Sequence, residues 1–347
     1  MLKKQKIRII VLVLLSVCLL FGCSISDEET RKTTISLENS SFEVHFLDVG
    51  QADSTLILCD DQAMLIDGGN TKDSSLIYAY LKEHDVAHLN YVIGTHAHED
   101  HIGGLAGALN YATVDKVYCP VTEYDSEAFA DFLKYVQKQN CSVIVPEINE
   151  SFSLGFATCI FLGVNVFDGD NSNNTSIALR VDYGETSFVF SGDNETVVEE
   201  KILQSGADVQ CTVIKVPHHG SDTSLSNEWL NAANPEYAVI SVGENNSYGH
   251  PSESTLKKLE GAGVQIYRTD LQGHIVCKSD GEKVSFETAS IENPGEYSYV
   301  VNVNTKKFHY PDCFSVNQMK EKNKVYTVSS REELVRQGYE PCGNCHP

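Results

Sequence analysis

The stretch Asn90 to Leu105, NYVIGTHAHEDHIGGL, limits what this chain can become more than any other. It reads as a buried apolar strand ending at Thr95, a short loop carrying His96, His98, Asp100 and His101, and a helix that opens at Gly103 and Gly104. Four potential metal ligands fall within six residues, in the pattern H-x-H-x-D-H. A lone loop histidine is ordinarily solvated or a satisfied core residue. Three of them with an aspartate at this spacing point instead to a metal centre. Residues two apart in an extended loop face the same way, so His96 and His98 are set to grip one ion. Asp100 and His101 sit where the chain turns into the helix, and are set to grip a second. Imidazole mixed with carboxylate suits zinc, manganese or iron better than calcium or magnesium.

The chain has 347 residues, enough for one large core and something small. Its formal net charge of -22 is spread along the sequence. That excludes a protein that binds nucleic acid through a broad basic face. It leaves room for a nuclease, because two bound divalent ions supply positive charge where a phosphate would sit.

The first residues read as a targeting segment. Lys3, Lys4, Lys6 and Arg8 precede an apolar run from Ile9 to Phe21, broken only by Ser16. Those thirteen residues are short for a membrane span and right for a signal-peptide core. The run ends in Leu20-Phe21-Gly22-Cys23, which resembles the bacterial lipobox, and implies a lipidated Cys23 and a protein held on the outer side of the cytoplasmic membrane. Residues 1–23 thus read as a lipoprotein signal, with an uncleaved anchor or a plain secretory signal as the alternatives, and the polar stretch 24–41 reads as a tether. Cys59, Cys119, Cys141, Cys159, Cys211 and Cys277 lie mostly in or beside apolar strands and read as buried thiols, with no disulfide framework.

From Phe42 the pattern gives three strands with tight turns, then a helix over Asp73 to His84, then the pivotal strand and loop. Helices and strands alternate to Val145, and a second strand-rich run follows, mixed with helices to Thr288. Two halves of this kind predict two sheets packed face to face with helices outside, a four-layer αββα sandwich over 42–290. Polar residues with chemical capacity recur at strand ends: Asp48, the histidine loop, Asp193, the pair His218 and His219, and His250. Such loops are where a scaffold carries its site. His45, His84, His88 and His274 have no such setting and read as structural or solvated.

FLDVGQADS, THAHEDHIGG, NNTSIAL, FSGD, VPHHGS and YGHPS together resemble the metallo-β-lactamase superfamily, and within it the hydrolase domain of bacterial competence DNA-uptake channels. The resemblance covers about Phe42 to Ala289. It implies that His96 and His98 hold a first divalent metal, that Asp100 and His101 hold a second, and that Asp193 bridges them. Asp48 corresponds to an aspartate that braces the histidine loop from behind. The third histidine that the superfamily usually supplies before the bridging aspartate is missing from Asn171-Ser172-Asn173-Asn174-Thr175-Ser176. By similarity to phosphorylcholine esterases of the superfamily, His219 is assigned to the first metal and His250 to the second. His218 is left to contact phosphate or protonate the leaving oxygen, with the roles of His218 and His219 open to exchange.

Beyond Tyr297 the composition changes. His309-x3-Cys313 and Cys342-x2-Cys345 form two knuckles with the ligand types of a structural zinc site. The segment 296–347 resembles the small zinc-binding domain of Ada-type DNA-repair proteins, with His309 where the methyl-accepting cysteine would stand. A closed structural zinc is therefore expected rather than methyl transfer. Disulfide pairing and replacement of His309 by His346 are the alternatives. A domain this small needs the ion to fold.

The chain is accordingly expected to be an extracytoplasmic hydrolase with two zinc or manganese ions and one structural zinc. His218, Asp193 and Asp100 are the expected catalytic groups, and a phosphodiester, DNA in particular, the expected substrate. Two alternatives stay open: an esterase for phosphorylcholine or cell-envelope phosphodiesters, and a metal-containing binding protein without turnover.

Overall fold

The computed structural model describes residues 37, 40–165, 171–288 and 299–347, apart from 311, 312, 328, 330, 344 and 346. The expected signal segment, Cys23, nearly all of the tether, the join between the two expected domains and His346 lie outside the described residues. No helix among the described residues is long and apolar enough to cross a membrane.

In chain order the strands of the larger unit are β1 Phe42–Phe46, β2 Thr55–Cys59, β3 Gln62–Ile66, β4 His88–Ile93, β5 Thr113–Tyr118, β6 Val143–Ile144, β7 Ser151–Leu154, β8 Ala157–Gly163, β9 Ala178–Tyr183, β10 Thr186–Phe190, β11 Val213–Lys215, β12 Tyr237–Ile240, β13 Gln265–Arg268, β14 Ile275–Ser279 and β15 Val284–Thr288. The helices are α1 Ser74–Glu83, α2 Glu99–Ile102, α3 Leu105–Tyr111, α4 Glu127–Lys138, α5 Thr196–Gln204, α6 Asn227–Ala233, α7 Glu253–Gly261 and α8 Thr269–Gln272. One sheet runs β15-β14-β1-β2-β3-β4-β5-β6, the other β13-β12-β11-β10-β9-β8-β7. Each is antiparallel over one part and parallel over the rest: β3 to β6 are parallel in the first, β10 to β13 in the second.

β1 shows how the layers arise. Phe42, Val44 and Phe46 alternate with Glu43 and His45, as a two-residue period requires. Phe42 stacks on Tyr183 and packs against Phe188 of the opposite sheet, and Phe46 meets Phe190. His45 turns the other way, to Tyr80 on α1. The far face of the first sheet is covered by α1, α3 and α4 through Leu81, Leu105, Leu109, Phe129 and Phe132. That of the second is covered by α5, α6 and α7 through Val198, Ile202, Trp229, Leu230 and Leu259. The result is the expected αββα order of layers.

Two local expectations change. The helix after the histidine loop begins at Glu99, ahead of the two glycines. Gly103 and Gly104 instead let the helix lie against the turn after β3, because a Cβ at either would overlap the backbone of Thr71 or Gly68. β7 was not foreseen, because its sequence SFSL sits among polar residues and its pairing with β8 fixes it.

Glu199 on α5 is fully buried, and its carboxylate accepts the N–H groups of Leu225 at 2.6 Å and Ser226 at 2.8 Å. It thereby holds Leu225 at φ +54°, in the left-handed region, and sets Ser226 to cap α6. Removing such a buried acceptor costs about 1–3 kcal/mol. Glu199→Ala should lower the free energy of urea unfolding by that amount, followed through Trp229, the chain's single tryptophan. Burial pushes the Glu199 carboxyl up, against the Ser226 and Leu225 N–H groups and the Lys258 charge, and the net direction is up. The folded chain therefore holds this proton more tightly than the unfolded chain. Its contribution to stability is full below the unfolded value and is lost as pH rises through the folded one. That slope should vanish in Glu199→Gln.

Candidate metal centre

The site is assembled where strands from both sheets end. Asp67 follows β3 at φ +58°, and its buried carboxylate accepts the Thr95 N–H at 2.7 Å, the Thr95 hydroxyl at 2.7 Å and His101 Nδ1 at 2.8 Å. Thr95 is the hinge between the two sheets. Its carbonyl accepts the Ile177 N–H just before β9, and Gly192, after β10, packs on its side chain too closely for a Cβ. The Asp193 N–H donates to Ser176 Oγ, and the His218 N–H donates to the Gly192 carbonyl. Five separate loops are thereby fixed to one another.

Asp100, His101, Asp193 and His219 offer ligand atoms that all lie within 4.8 Å of one another. Asp193 Oδ1 is 3.3 Å from His101 Nε2, and its Oδ2 is 3.8 Å from His219 Nε2 and 3.7 Å from His218 Nε2. His219 Nε2 is 3.5 Å from Asp100 Oδ2. His96, fully buried, has its Nε2 3.0 Å from His98 Nδ1 and its ring 4.1 Å from that of His101. His218 and His219 both adopt positive φ, near +50°, a rare conformation for two consecutive non-glycine residues. It aims both rings toward Asp193 from one short turn.

The donor set fits divalent cations. His101 Nε2, Asp193 Oδ1 and His219 Nε2 are buried and have no hydrogen-bond partner. Their opposite nitrogens are committed: His101 Nδ1 bonds Asp67, and His219 Nδ1 donates to the Ser241 carbonyl at 3.0 Å. Fixing Nδ1 presents Nε2 to a metal. Electrostatics agree. Burial opposes charge on His101, yet Asp193, Asp67 and Asp100 carry its pKa well above the ordinary value. Burial likewise opposes charge on His219, and Asp193 and Asp53 raise it to about 10. Burial alone would raise Asp193, but His101 and His219 take it far down. The carboxylates thus draw positive charge to His101 and His219, while burial holds His96 and His98 below the ordinary value.

Two expectations are corrected. Asp48 does not brace the histidine loop; its carboxylate accepts the Gly50 N–H in its own turn, and Asp67 does the bracing. The motif Asp67-Gly68-Gly69 reads as a plain turn in sequence, so the aspartate was hidden there. His219 does not join His96 and His98, because its bond to Ser241 turns Nε2 toward Asp100 and Asp193. His250 stands outside the four-residue group, half-buried, with its ring 5.7 Å from that of His218 and 6.4 Å from that of His219. Two further charged residues were missed, Asp53 and Lys215, both buried.

The C-terminal unit forms its own sheet from β16 Tyr299–Asn302, β17 Lys307–His309, β18 Lys324–Thr327 and β19 Glu340–Pro341, in the order β18-β16-β17-β19. Parallel pairing of β17 with β19 places His309 and Cys313 beside Cys342 and Cys345. All four offer ligand atoms within 4.8 Å of one another, and His309 Nδ1 is buried without a partner. Burial and the neighbouring thiols of Cys313 and Cys342 push Cys345 up to about 12. Crowded thiols of this kind suit one soft cation, which holds them as thiolates.

Metal analysis of purified variants tests both centres. Cys342→Ser should carry one equivalent fewer than wild type and unfold its C-terminal unit at lower temperature. Asp67→Asn should keep that equivalent and bind the remaining metal roughly 10–100-fold more weakly, the usual effect of losing a partner behind a ligand.

A family model described as the metallo-beta-lactamase superfamily matches residues 47–244. ComE operon protein 3 of Bacillus subtilis (strain 168) is 28% identical over 257 residues, which cover 68% of this chain and 33% of that protein. Competence protein ComA of Neisseria gonorrhoeae is 28% identical over 228 residues, covering 65% of this chain and 30% of that one. The chain thus spans about a third of the length of these curated relatives. Among solved structures, the metallo-beta-lactamase fold protein YhfI from Bacillus subtilis is similar at 14% identity, with a TM-score of 0.46 over 69% of this chain and 100% of that one. The family match runs from the loop after β1 to the loop after β12 and so takes in the histidine loop, Asp193 and the paired histidines. With sandwich, ligand loops and sequence in agreement, this chain belongs to the metallo-β-lactamase superfamily, whose members are generally metal-dependent hydrolases.

Proposed function

We propose that the chain is an extracytoplasmic, dinuclear metal-dependent phosphodiesterase that cleaves DNA. The observation that carries this reading is Asp193, a single buried carboxylate with one oxygen turned to His101 and the other to His218 and His219. A carboxylate so placed can bridge two cations. His96, His98 and His218 would hold one, and Asp100, His101 and His219 the other, with zinc or manganese as the ions. Cations there supply Lewis acidity and a source of hydroxide near neutral pH.

The chain's own groups do the rest. Asp100 is pushed up by burial but held down by His101 and His219, at about 2, so it stays ionised. Asp100 and Asp193 can therefore accept hydrogens from an attacking water and orient it. His250, 3.5 Å from Gln51 Nε2, is placed to donate to a phosphate oxygen at the rim. His218 Nδ1 meets Thr223 Oγ1 at 3.2 Å, which leaves its Nε2 facing Asp193 and favours a ligand role over the proton donor expected from sequence.

Two observations support nucleic acid as substrate. Tyr124, 38% exposed, packs beside His98, and Tyr248, 72% exposed, stacks on His250. Aromatic rings at a site mouth stack on unpaired bases for about 1–3 kcal/mol each. The named competence relatives point the same way. The acidic net charge of -22 favours the second reading, an esterase for a small envelope phosphodiester that needs no long charged groove.

A substrate panel on metal-replete protein decides. Single-stranded DNA, duplex DNA and bis-p-nitrophenyl phosphate should be compared, with Asp193→Ala reduced to background. Turnover of DNA is expected, and Tyr248→Ala should raise KM for single-stranded DNA about fivefold or more beyond any change with the small diester. Turnover of the small ester alone establishes the esterase, and bound metal without turnover a binding protein. Membrane placement is tested separately: Cys23→Ala should shift the protein from the membrane pellet to the soluble fraction.

A further inference from the structure

We propose that the Lys215 ammonium is a tethered cation occupying a third cation position behind the dinuclear centre, where it neutralises Asp53 and keeps the inner carboxylates as orienting groups rather than ligands. Lys215 ends β11, a strand whose other residues, Val213 and Ile214, are apolar and buried. Its own exposure is 3%, and a lysine in such a place needs a partner to be tolerated at all. Nζ lies 2.6 Å from Asp53 Oδ2 and 3.2 Å from the Val216 carbonyl.

Behind the ligand rings lies a second group, Asp53, Asp67 and His101, whose ligand atoms also fall within 4.8 Å of one another. By chemistry that group is a cation site in its own right. Asp53 Oδ1 is buried without a hydrogen bond, 3.3 Å from His219 Nδ1, and Asp53 Oδ2 is 4.0 Å from His101 Nδ1. The Asp53 and Asp67 carboxylates thus face the Nδ1 atoms of both imidazoles. A mobile divalent ion among them would compete for His101 Nδ1 and turn the ring away from the outer site. An ammonium on a fixed stem supplies positive charge without coordinating imidazole. A void of about 10 Å³, lined by Asp53, Asp67, Thr95 and Lys215, adjoins the pair. Shortening the lysine enlarges that space enough for a small cation.

Three properties follow for Lys215→Ala. Its affinity for the outer metals, measured by competition with a chromogenic chelator, falls at least tenfold. Adding ethylammonium chloride restores most of that affinity and raises Tm, whereas sodium chloride at equal ionic strength does not. Titration with manganese in excess gives one equivalent more than wild type. Wild-type metal affinity in the variant, or a loss that ethylammonium leaves untouched and no extra equivalent accompanies, overturns the proposal. Should the variant be insoluble, Lys215→Met combined with Asp53→Asn removes both charges at once. That protein should fold, with metal affinity indifferent to ethylammonium, and a double variant as insoluble as the single one also overturns the pairing.

The inference rests on the metal-centre reading, and the two fail differently. Wild-type protein that takes up no metal in the hydrolase unit sinks that reading. Wild type that loads normally beside a Lys215→Ala protein indistinguishable from it sinks this one alone.

Discussion

The hydrogen bonds converging on the Asp67 carboxylate are what the rest of the site depends on. One oxygen takes the Thr95 N–H, the other takes the Thr95 hydroxyl and His101 Nδ1. A carboxylate with 1% exposure is costly in a protein interior unless it is paired and hydrogen-bonded. Here the partners come from the strand next door and from the helix that follows it. Satisfying this one group sets the end of β4, the entry to α2 and the ring plane of His101 together. Through Thr95 the same constraint reaches the second sheet, at Ile177 and Gly192.

The second organising fact is an excess of negative charge at one edge of the sandwich. Asp53, Asp67, Asp100 and Asp193 are drawn together from three loops and α2, and three of them are buried. Their mutual repulsion is met by His101, His219 and Lys215, and divalent cations held by this cluster would offset it further. The same electrostatics therefore serves stability and chemistry. Ions that bind the folded chain and not the unfolded one stabilise it by mass action. The C-terminal unit follows this logic more completely. Its core is split into two small clusters, one around Val300, Val316 and the cysteines and one around Val301, Phe308 and Leu334, so the ligand cluster adds to two modest apolar groups.

Much of this was legible in the residues. The two-residue alternation of FEVHF and the spaced apolar positions of the helices fixed the layers, because burial on one face leaves a period that sequence displays directly. The histidine loop, Asp193 and the pair His218 and His219 were recognisable because ligand types concentrated at strand ends have few other uses. Asp67 and Lys215 were not, since Asp-Gly-Gly looks like a turn and a lysine after two apolar residues looks like a strand end reaching solvent. Their roles come from the neighbours they meet.

Local sequence thus determined which side chains this protein brings to its chemistry, the strands and helices that carry them, and the two knuckles of the C-terminal unit. Only the tertiary structure decided which imidazole faces which carboxylate. The grouping of His219 with Asp100 and His101, and the rim position of His250, depend on Ser241 and on the left-handed turn at His218 and His219. Ring orientation is set by the hydrogen bond on the far nitrogen, and that bond comes from a residue distant in sequence. No spacing of histidines along the chain encodes it.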